Sequence, residues 1–98
     1  MITSKQRAYL RSLATSYSAI MQIGKGGITE NLIKTLSDAL EARELIKLHV
    51  LENSGEDPKA MLAILAEQLD AEPIAATGRK IVLYRVSEKK PTIELPKT

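Results

Sequence analysis

Gly24, Lys25, Gly26 and Gly27 are the residues whose types and spacing best suit chemistry, and the chemistry they suit is the holding of an anion. They stand between an apolar run that ends at Ile23 and a stretch that opens a helix if Thr29 caps it. Glycines reach backbone conformations closed to other residues, and without Cβ atoms they let a ligand come close to the main chain. Lys25 is the one long side chain in the turn. Free N–H groups in the first turn of a capped helix point back toward such a turn, and the helix dipole favours negative charge there. The stretch reads as a phosphate cradle.

Two established phosphate-binding patterns do not describe it. A P-loop needs G-x-x-x-x-G-K-[ST], but Lys25 precedes the second glycine and no Lys-Ser or Lys-Thr pair follows. The dinucleotide pattern G-x-G-x-x-G would need a glycine at Thr29. What fits is G-x-x-G between a strand and a helix, the loop with which KH-type domains clamp a nucleic-acid backbone. The same four residues also suit a plain strand-to-helix turn.

The elements that must position this turn follow from periodicity. Thr3 with Gln6 has capping-box spacing, and Tyr9, Leu10, Leu13, Ala14 and Tyr17 recur on one face, predicting a helix over residues 4–16. Lys5, Arg7 and Arg11 then form a basic patch on its outer side, a feature equally suited to a solvated helix face. A short apolar run at 19–23 predicts a strand that delivers the glycine turn. The second helix, capped by Thr29, buries Leu32, Ile33, Leu36, Ala39 and Leu40. A strand over 45–51 places Ile46, Leu48 and Val50 on one face, with Leu45, Lys47, His49 and Leu51 on the other. Residues 53–57 read as a loop, and Asp57-Pro58 starts a third helix that buries Met61, Leu62, Leu65 and Leu69. Strands over 73–77 and 80–86 flank Gly78-Arg79, the type II′ hairpin signature, with Arg79 and Lys80 at the tip and Arg85 opposite Val82 and Tyr84. The expected fold is α/β: a single-domain, two-layer fold of order α-β-α-β-α-β-β with a mixed four-stranded sheet. The domain is expected over residues 1–87, and the tail over 88–98, with two prolines and no period, is expected to be extended or disordered.

Composition narrows the function classes. At 98 residues the chain suits one domain with one core. Three tyrosines and no Phe or Trp leave few platforms for base stacking, so phosphate and shape contacts are the expected mode of any nucleic-acid binding. Fourteen basic against 12 acidic residues give a net charge of +2, and the pI is near 9.0, so what matters is whether the positive charge gathers on one side. The absence of cysteine removes disulfides, thiol catalysis and thiolate metal sites. His49, the sole histidine, lacks the partners of a usual metal site, and no two carboxylates are forced together as a catalytic pair. The start, MITSKQRAYL, lacks the apolar region of a signal peptide, and a cytoplasmic location is expected.

Several short motifs together resemble the bacterial YhbY proteins, stand-alone forms of the CRM domain (chloroplast RNA splicing and ribosome maturation). The resemblance covers residues 5–85. It rests on Leu10-Arg11 and Leu13-Ala14, on IGKGG-I-T with Gly24, Gly27 and Thr29, on E-L-I-K at 44–47, on Gly78-Arg79 and on L-Y-R at 83–85. Ala14-Thr15 stands where family proteins often have Ala-His, and Arg43 where they have His. The resemblance implies a fold similar to the C-terminal domain of bacterial translation initiation factor three. It also implies RNA binding through the G-x-x-G loop and association with ribosomal RNA precursors during assembly of the large ribosomal subunit. It assigns the RNA backbone to Gly24, Lys25, Gly26 and Gly27, with basic help from Lys5, Arg11, Lys47, Arg79 and Arg85. A monomer without catalytic residues, metal or cofactor is expected. The alternative is an adaptor whose apolar sheet face docks a ribosomal protein or assembly factor. An enzyme acting on small phosphorylated substrates ranks well below both, for want of an evident base, nucleophile or metal ligand set.

Overall fold

Side-chain caps fix all three helix starts. The Thr3 hydroxyl accepts from the Gln6 N–H at 3.1 Å while the Gln6 side chain accepts from the Thr3 N–H at 2.9 Å, closing the capping box. Thr29 accepts from the Leu32 N–H at 3.1 Å, and Asp57 accepts from Lys59 and Ala60 with Pro58 in the first helical position. The computed structural model, which describes residues 2–96, runs in the expected order. Its elements are α1 (Ser4–Ala14), β1 (Met21–Ile23), α2 (Glu30–Arg43), β2 (Leu45–Val50), a 3-10 turn at Glu52–Ser54, α3 (Pro58–Leu69), β3 (Glu72–Thr77) and β4 (Lys80–Tyr84). α1 stops two residues before the expected end because the Thr15 and Ser16 hydroxyls take the carbonyls of Ser12 and Leu13.

The four strands form one mixed sheet in the order β1-β2-β4-β3, with β1 parallel to β2 and the other two pairings antiparallel. β2 and β4 lie at its centre and bury apolar side chains on both faces, with Lys47 and His49 interrupting one face of β2. Ile46, Leu48, Ile81 and Leu83 pack under α2 and α3, while Leu45, Val82 and Tyr84 pack under α1. The sheet therefore carries helices on both faces, so that α1 adds a partial third layer to the two expected. That layer is narrow. Leu10 and Ala14 are buried, but Tyr9 and Tyr17, expected on the same buried face, are exposed, because one short helix meets the sheet along a single line of residues. A bulge between Pro73 and Ala75 places both Ile74 and Ala75 in the cluster around α1. At the β3–β4 turn Gly78 takes a positive φ of 59°, the conformation that a hairpin glycine supplies.

The segment after β4 is held by two glutamates. Glu44, between α2 and β2, is buried at 1% exposure and adopts φ +67°, which side chains rarely do. Its carboxylate accepts from the Ser87, Thr92 and Ile93 N–H groups at 2.8, 2.7 and 2.8 Å and from the Thr92 hydroxyl at 3.1 Å. Its backbone carbonyl accepts from the Arg85 N–H. Glu41, one turn earlier, accepts from the Ser87 hydroxyl and from the Glu88 and Lys89 amides. The tail, which has no helix or strand over 88–96, thus runs along the domain, and Ile93 and Leu95 pack against the α1 cluster. The Gln6 side chain donates to the Pro96 carbonyl at 2.9 Å.

Burial pushes the Glu44 carboxyl up, but the donated hydrogen bonds from Ser87, Ile93 and Thr92 outweigh it and hold the group below its ordinary value of 4.5. Glu41 is also held low, first by the Ser87 hydroxyl and then by the Lys89 and Glu88 amides. Both groups therefore bind fewer protons folded than unfolded. Their contribution is complete above the ordinary carboxylate range and is lost as the pH falls through 4.5 and below. Glu44→Ala should lower stability by about 1–3 kcal/mol, since it strands the amides that it caps. In hydrogen exchange the Ser87, Thr92 and Ile93 amides should lose protection, in this variant at neutral pH and in the parent protein on acidification, while those of β2 and β4 keep it.

Candidate functional site

The glycine turn is closed by a hydrogen bond from the Gly27 N–H to the Gly24 carbonyl at 2.9 Å. The chain is anchored on either side of it, because Ile23 is buried and Ile28 packs against the same core. The Leu51 N–H donates to the Ile23 carbonyl at 2.8 Å, tying the base of the turn to the segment that follows β2. Lys25 and Gly26 occupy the exposed tip, and their N–H groups meet no acceptor among the described residues. Thr29 is extended at φ −125° and begins α2 immediately behind the turn. Amides without an internal acceptor, an ammonium and a helix N-terminus together can hold an anion.

The three glycines differ in what the fold asks of them. Gly27 has φ +62° and is the one that needs to be glycine for its backbone conformation. The expectation that all three supply conformations closed to other residues is corrected here: neither Gly24 nor Gly26 has a positive φ. A Cβ at Gly26 would meet nothing within 4 Å, and one at Gly24 would make ordinary contact with Leu51 Cδ1 at 3.5 Å and Asn53 Oδ1 at 3.7 Å.

The basic residues picked out by the sequence separate into two groups. Lys47, Arg79 and Arg85 spend donors on main-chain carbonyls. Lys47 Nζ donates to Ala14 and Tyr17 at 3.0 and 3.2 Å, capping the C-terminal end of α1. Arg79 donates from Nε to Val50 at 2.6 Å and from Nη2 to Leu51 at 2.9 Å, fastening the hairpin tip beside the glycine turn. Arg85 reaches the other way, to Leu69 at the end of α3 and to Ser37 in α2 at 3.0 and 2.8 Å. Lys5, Arg11 and Lys25 are exposed and have no carboxylate partner among the described residues, where the one ion pair joins Arg7 to Glu72 at 3.6 Å. Arg11 faces a cleft between α1 and the sheet, whereas Lys5 stands at the other end of the helix. Lys80 lines the same cleft as Arg11. The sequence shows Lys80 at the hairpin tip but gives it no role, and only strand register reveals its neighbours. Among the described residues no group of three or more metal-ligating side chains comes together, and no helix is long and apolar enough to cross a membrane.

The model of the CRS1/YhbY (CRM) domain matches residues 2–85. The chain belongs to this family. It is 44% identical over 96 residues to the "Probable RNA-binding protein YqeI" of Bacillus subtilis, covering 98% of this chain and all of the relative. It is 29% identical, also over 96 residues, to a Haemophilus influenzae protein named "RNA-binding protein", covering 98% and 96% of the two chains. Among solved structures it is similar to the solution structure of "the hypothetical protein SAV1595 from Staphylococcus aureus, a putative RNA binding protein". That match has a TM-score of 0.82 and 51% identity and covers 98% of this chain and 100% of the other.

The CRM family's glycine turn can be divided by stability measurements. Gly27→Ala should cost about 1–2 kcal/mol because it forces a side chain into a left-handed conformation. Gly24→Ala and Gly26→Ala should stay within about 0.5 kcal/mol of the parent protein. Arg79→Ala should destabilise by about 1.5–3 kcal/mol, having lost charged hydrogen bonds to two carbonyls, while Arg11→Ala changes little. Urea denaturation of the five variants checks all of these.

Proposed function

We propose that this CRM-family protein is an RNA-binding protein that holds the RNA backbone at the Gly24–Gly27 turn and carries out no chemistry. The observation that carries the reading is that Gly24 and Gly26 are glycines where the fold has room for a Cβ. A missing side chain that packing does not require fits a surface that another main chain or phosphate must approach. Lys25 stands between them, exposed and without a carboxylate partner among the described residues. The names of the relatives support RNA as the ligand class. The scarcity of aromatic residues favours phosphate and shape contacts over base stacking.

In this reading Gly24, Lys25, Gly26 and Gly27 touch the backbone. Arg11 adds positive charge on the same side, Lys5 stands at the opposite end of α1 beside the tail, and Lys47, Arg79 and Arg85 act by holding the framework. The RNA-binding domain spans residues 1–87 and the tail 88–98, whose described part, 88–96, straps the far end of the domain. The RNA is ribosomal, met in the cytoplasm as a precursor of the large ribosomal subunit, and the protein acts as a monomer. Crosslinking in cells followed by sequencing of the attached RNA tests this: recovery dominated by large-subunit ribosomal RNA and its precursors is expected, and recovery without enrichment of them refutes the ribosomal assignment.

An ammonium is a compact, hydrated point charge, suited to a phosphate and poorly suited to the planar reading of a base edge. Lys25→Ala should therefore weaken binding to two unrelated RNAs by a similar factor and flatten the slope of log affinity against log salt by about 0.7–0.9. Gly24→Ala should weaken binding with no change in thermal stability. A Lys25→Ala loss confined to one RNA at unchanged slope would show base reading instead. Affinity independent of salt in the parent protein would favour apolar docking of a protein partner.

A further inference from the structure

Strand register lines up four residues at the end of the sheet nearest the glycine turn. Gln22 pairs with His49, His49 with Lys80, and Lys80 with Thr77, so one row crosses all four strands. Directly opposed residues share a face, and two positions back along β2 the same face carries Lys47, paired with Val82 under α1. α1 ends at Ala14, and the row lies beyond its cover: Gln22, Lys80 and Thr77 are exposed and His49 is half-buried. Three strand spacings make the row about 14 Å long.

The row joins two features already described. At one end Gln22 is followed by Ile23 and the glycine turn. At the other, Lys80 and Thr77 form one wall of a cleft of about 270 Å³, whose opposite wall is Arg11 and Thr15 of the α1 end and whose floor includes Val82. The chain as a whole is nearly balanced, with 14 basic and 12 acidic residues. Acidic side chains are nevertheless absent from the row and the cleft themselves, while Glu52 lines a separate pocket with His49 and Arg79. Lys47, at the base of the cleft, also caps the C-terminal carbonyls of α1, offsetting the negative helix end that would otherwise repel an anion.

We propose that this row and cleft form a second RNA-backbone site, continuous with the glycine turn, in which phosphates lie on Lys80 and Arg11 and Gln22, His49 and Thr77 offer hydrogen bonds between them. The proposal rests on the reading of the turn as an RNA clamp and extends it across the sheet. The floor is aliphatic and the one aromatic ring in the row, His49, is half-buried, so the track favours backbone over base contacts.

Fluorescence anisotropy with a labelled oligouridine across a series of salt concentrations tests it, using Lys80→Ala, Arg11→Ala, Lys25→Ala and, as a charge-matched control, Lys90→Ala. Lys90 is exposed in the tail that Glu44 anchors at the opposite end of the sheet. Lys80→Ala and Arg11→Ala should each weaken binding several-fold at low salt and flatten the salt slope by about 0.7, with Lys90→Ala changing neither. If Lys80→Ala and Arg11→Ala behave like the control while Lys25→Ala weakens binding, the turn reading stands and the second site is overturned. A similar loss in all four variants means diffuse attraction to net charge and also overturns it. No loss in any of them overturns the turn reading as well.

Discussion

The structure depends on the burial of β2 and β4 on both faces. Their pairing sets Ile46 against Leu83 and Leu48 against Ile81 on one side, and Leu45 against Tyr84 on the other. A one-residue slip would exchange the two sets and drive Lys47 into the core beneath α2 and α3, so the register is strongly fixed. Everything near the glycine turn takes its position from that pair. β1 lies parallel to β2, so both strands end on the same edge, and the turn after Ile23 comes to lie beside Leu51 and Asn53. The β3–β4 hairpin brings Arg79 to the same edge, where it donates to the carbonyls at the end of β2. Ligands of open sheets with parallel strands favour the carboxyl ends of those strands, and the glycine turn stands at that end of β1 and β2.

Positive charge in this protein serves two ends that sequence cannot separate. Lys47, Arg79 and Arg85 donate to main-chain carbonyls at the ends of α1, β2 and α3. Buried or half-buried carbonyls require donors, and a long cation can supply them without adding a helix or strand. Lys25, Arg11 and Lys80 do nothing of the kind, and all three are exposed on the side of the turn and the uncovered sheet face. Three of the 12 acidic residues, Glu41, Glu44 and Glu72, are engaged elsewhere by the tail and Arg7, so a net charge of +2 still permits a local excess of positive charge.

Glu44 is the clearest case of a residue held in an unfavourable conformation for a structural reason. A positive φ at a glutamate costs on the order of 1–3 kcal/mol, and here it turns the chain from α2 into β2 while aiming the carboxylate at the tail. Four hydrogen bonds to one carboxylate offset its burial. The consequence is an ordered strap over residues 88–96 at the end of the domain away from the glycine turn, which leaves the turn and the row from Gln22 to Thr77 uncovered.

The sequence by itself determined the elements and their order, because caps and apolar periodicity are local. Thr3 with Gln6, Thr29 and Asp57-Pro58 each satisfy amides within three residues of themselves, and Gly78 marks the hairpin turn for the same local reason. It also determined the turn at Gly24–Gly27 and, through short motifs, the CRM family. Tertiary structure alone decided what pairing across strands and between layers controls. A strand's alternation shows that Lys47 and His49 share a side but not that Lys80, Thr77 and Gln22 join them, since register across strands lies outside any sequence window. The same holds for the glycines, where composition gives three equal candidates and only φ and the space around each separates Gly27 from Gly24 and Gly26. It holds for Glu44 too: E-L-I-K reads as a family marker, and the amides its carboxylate accepts from are some 43 to 49 residues away along the chain.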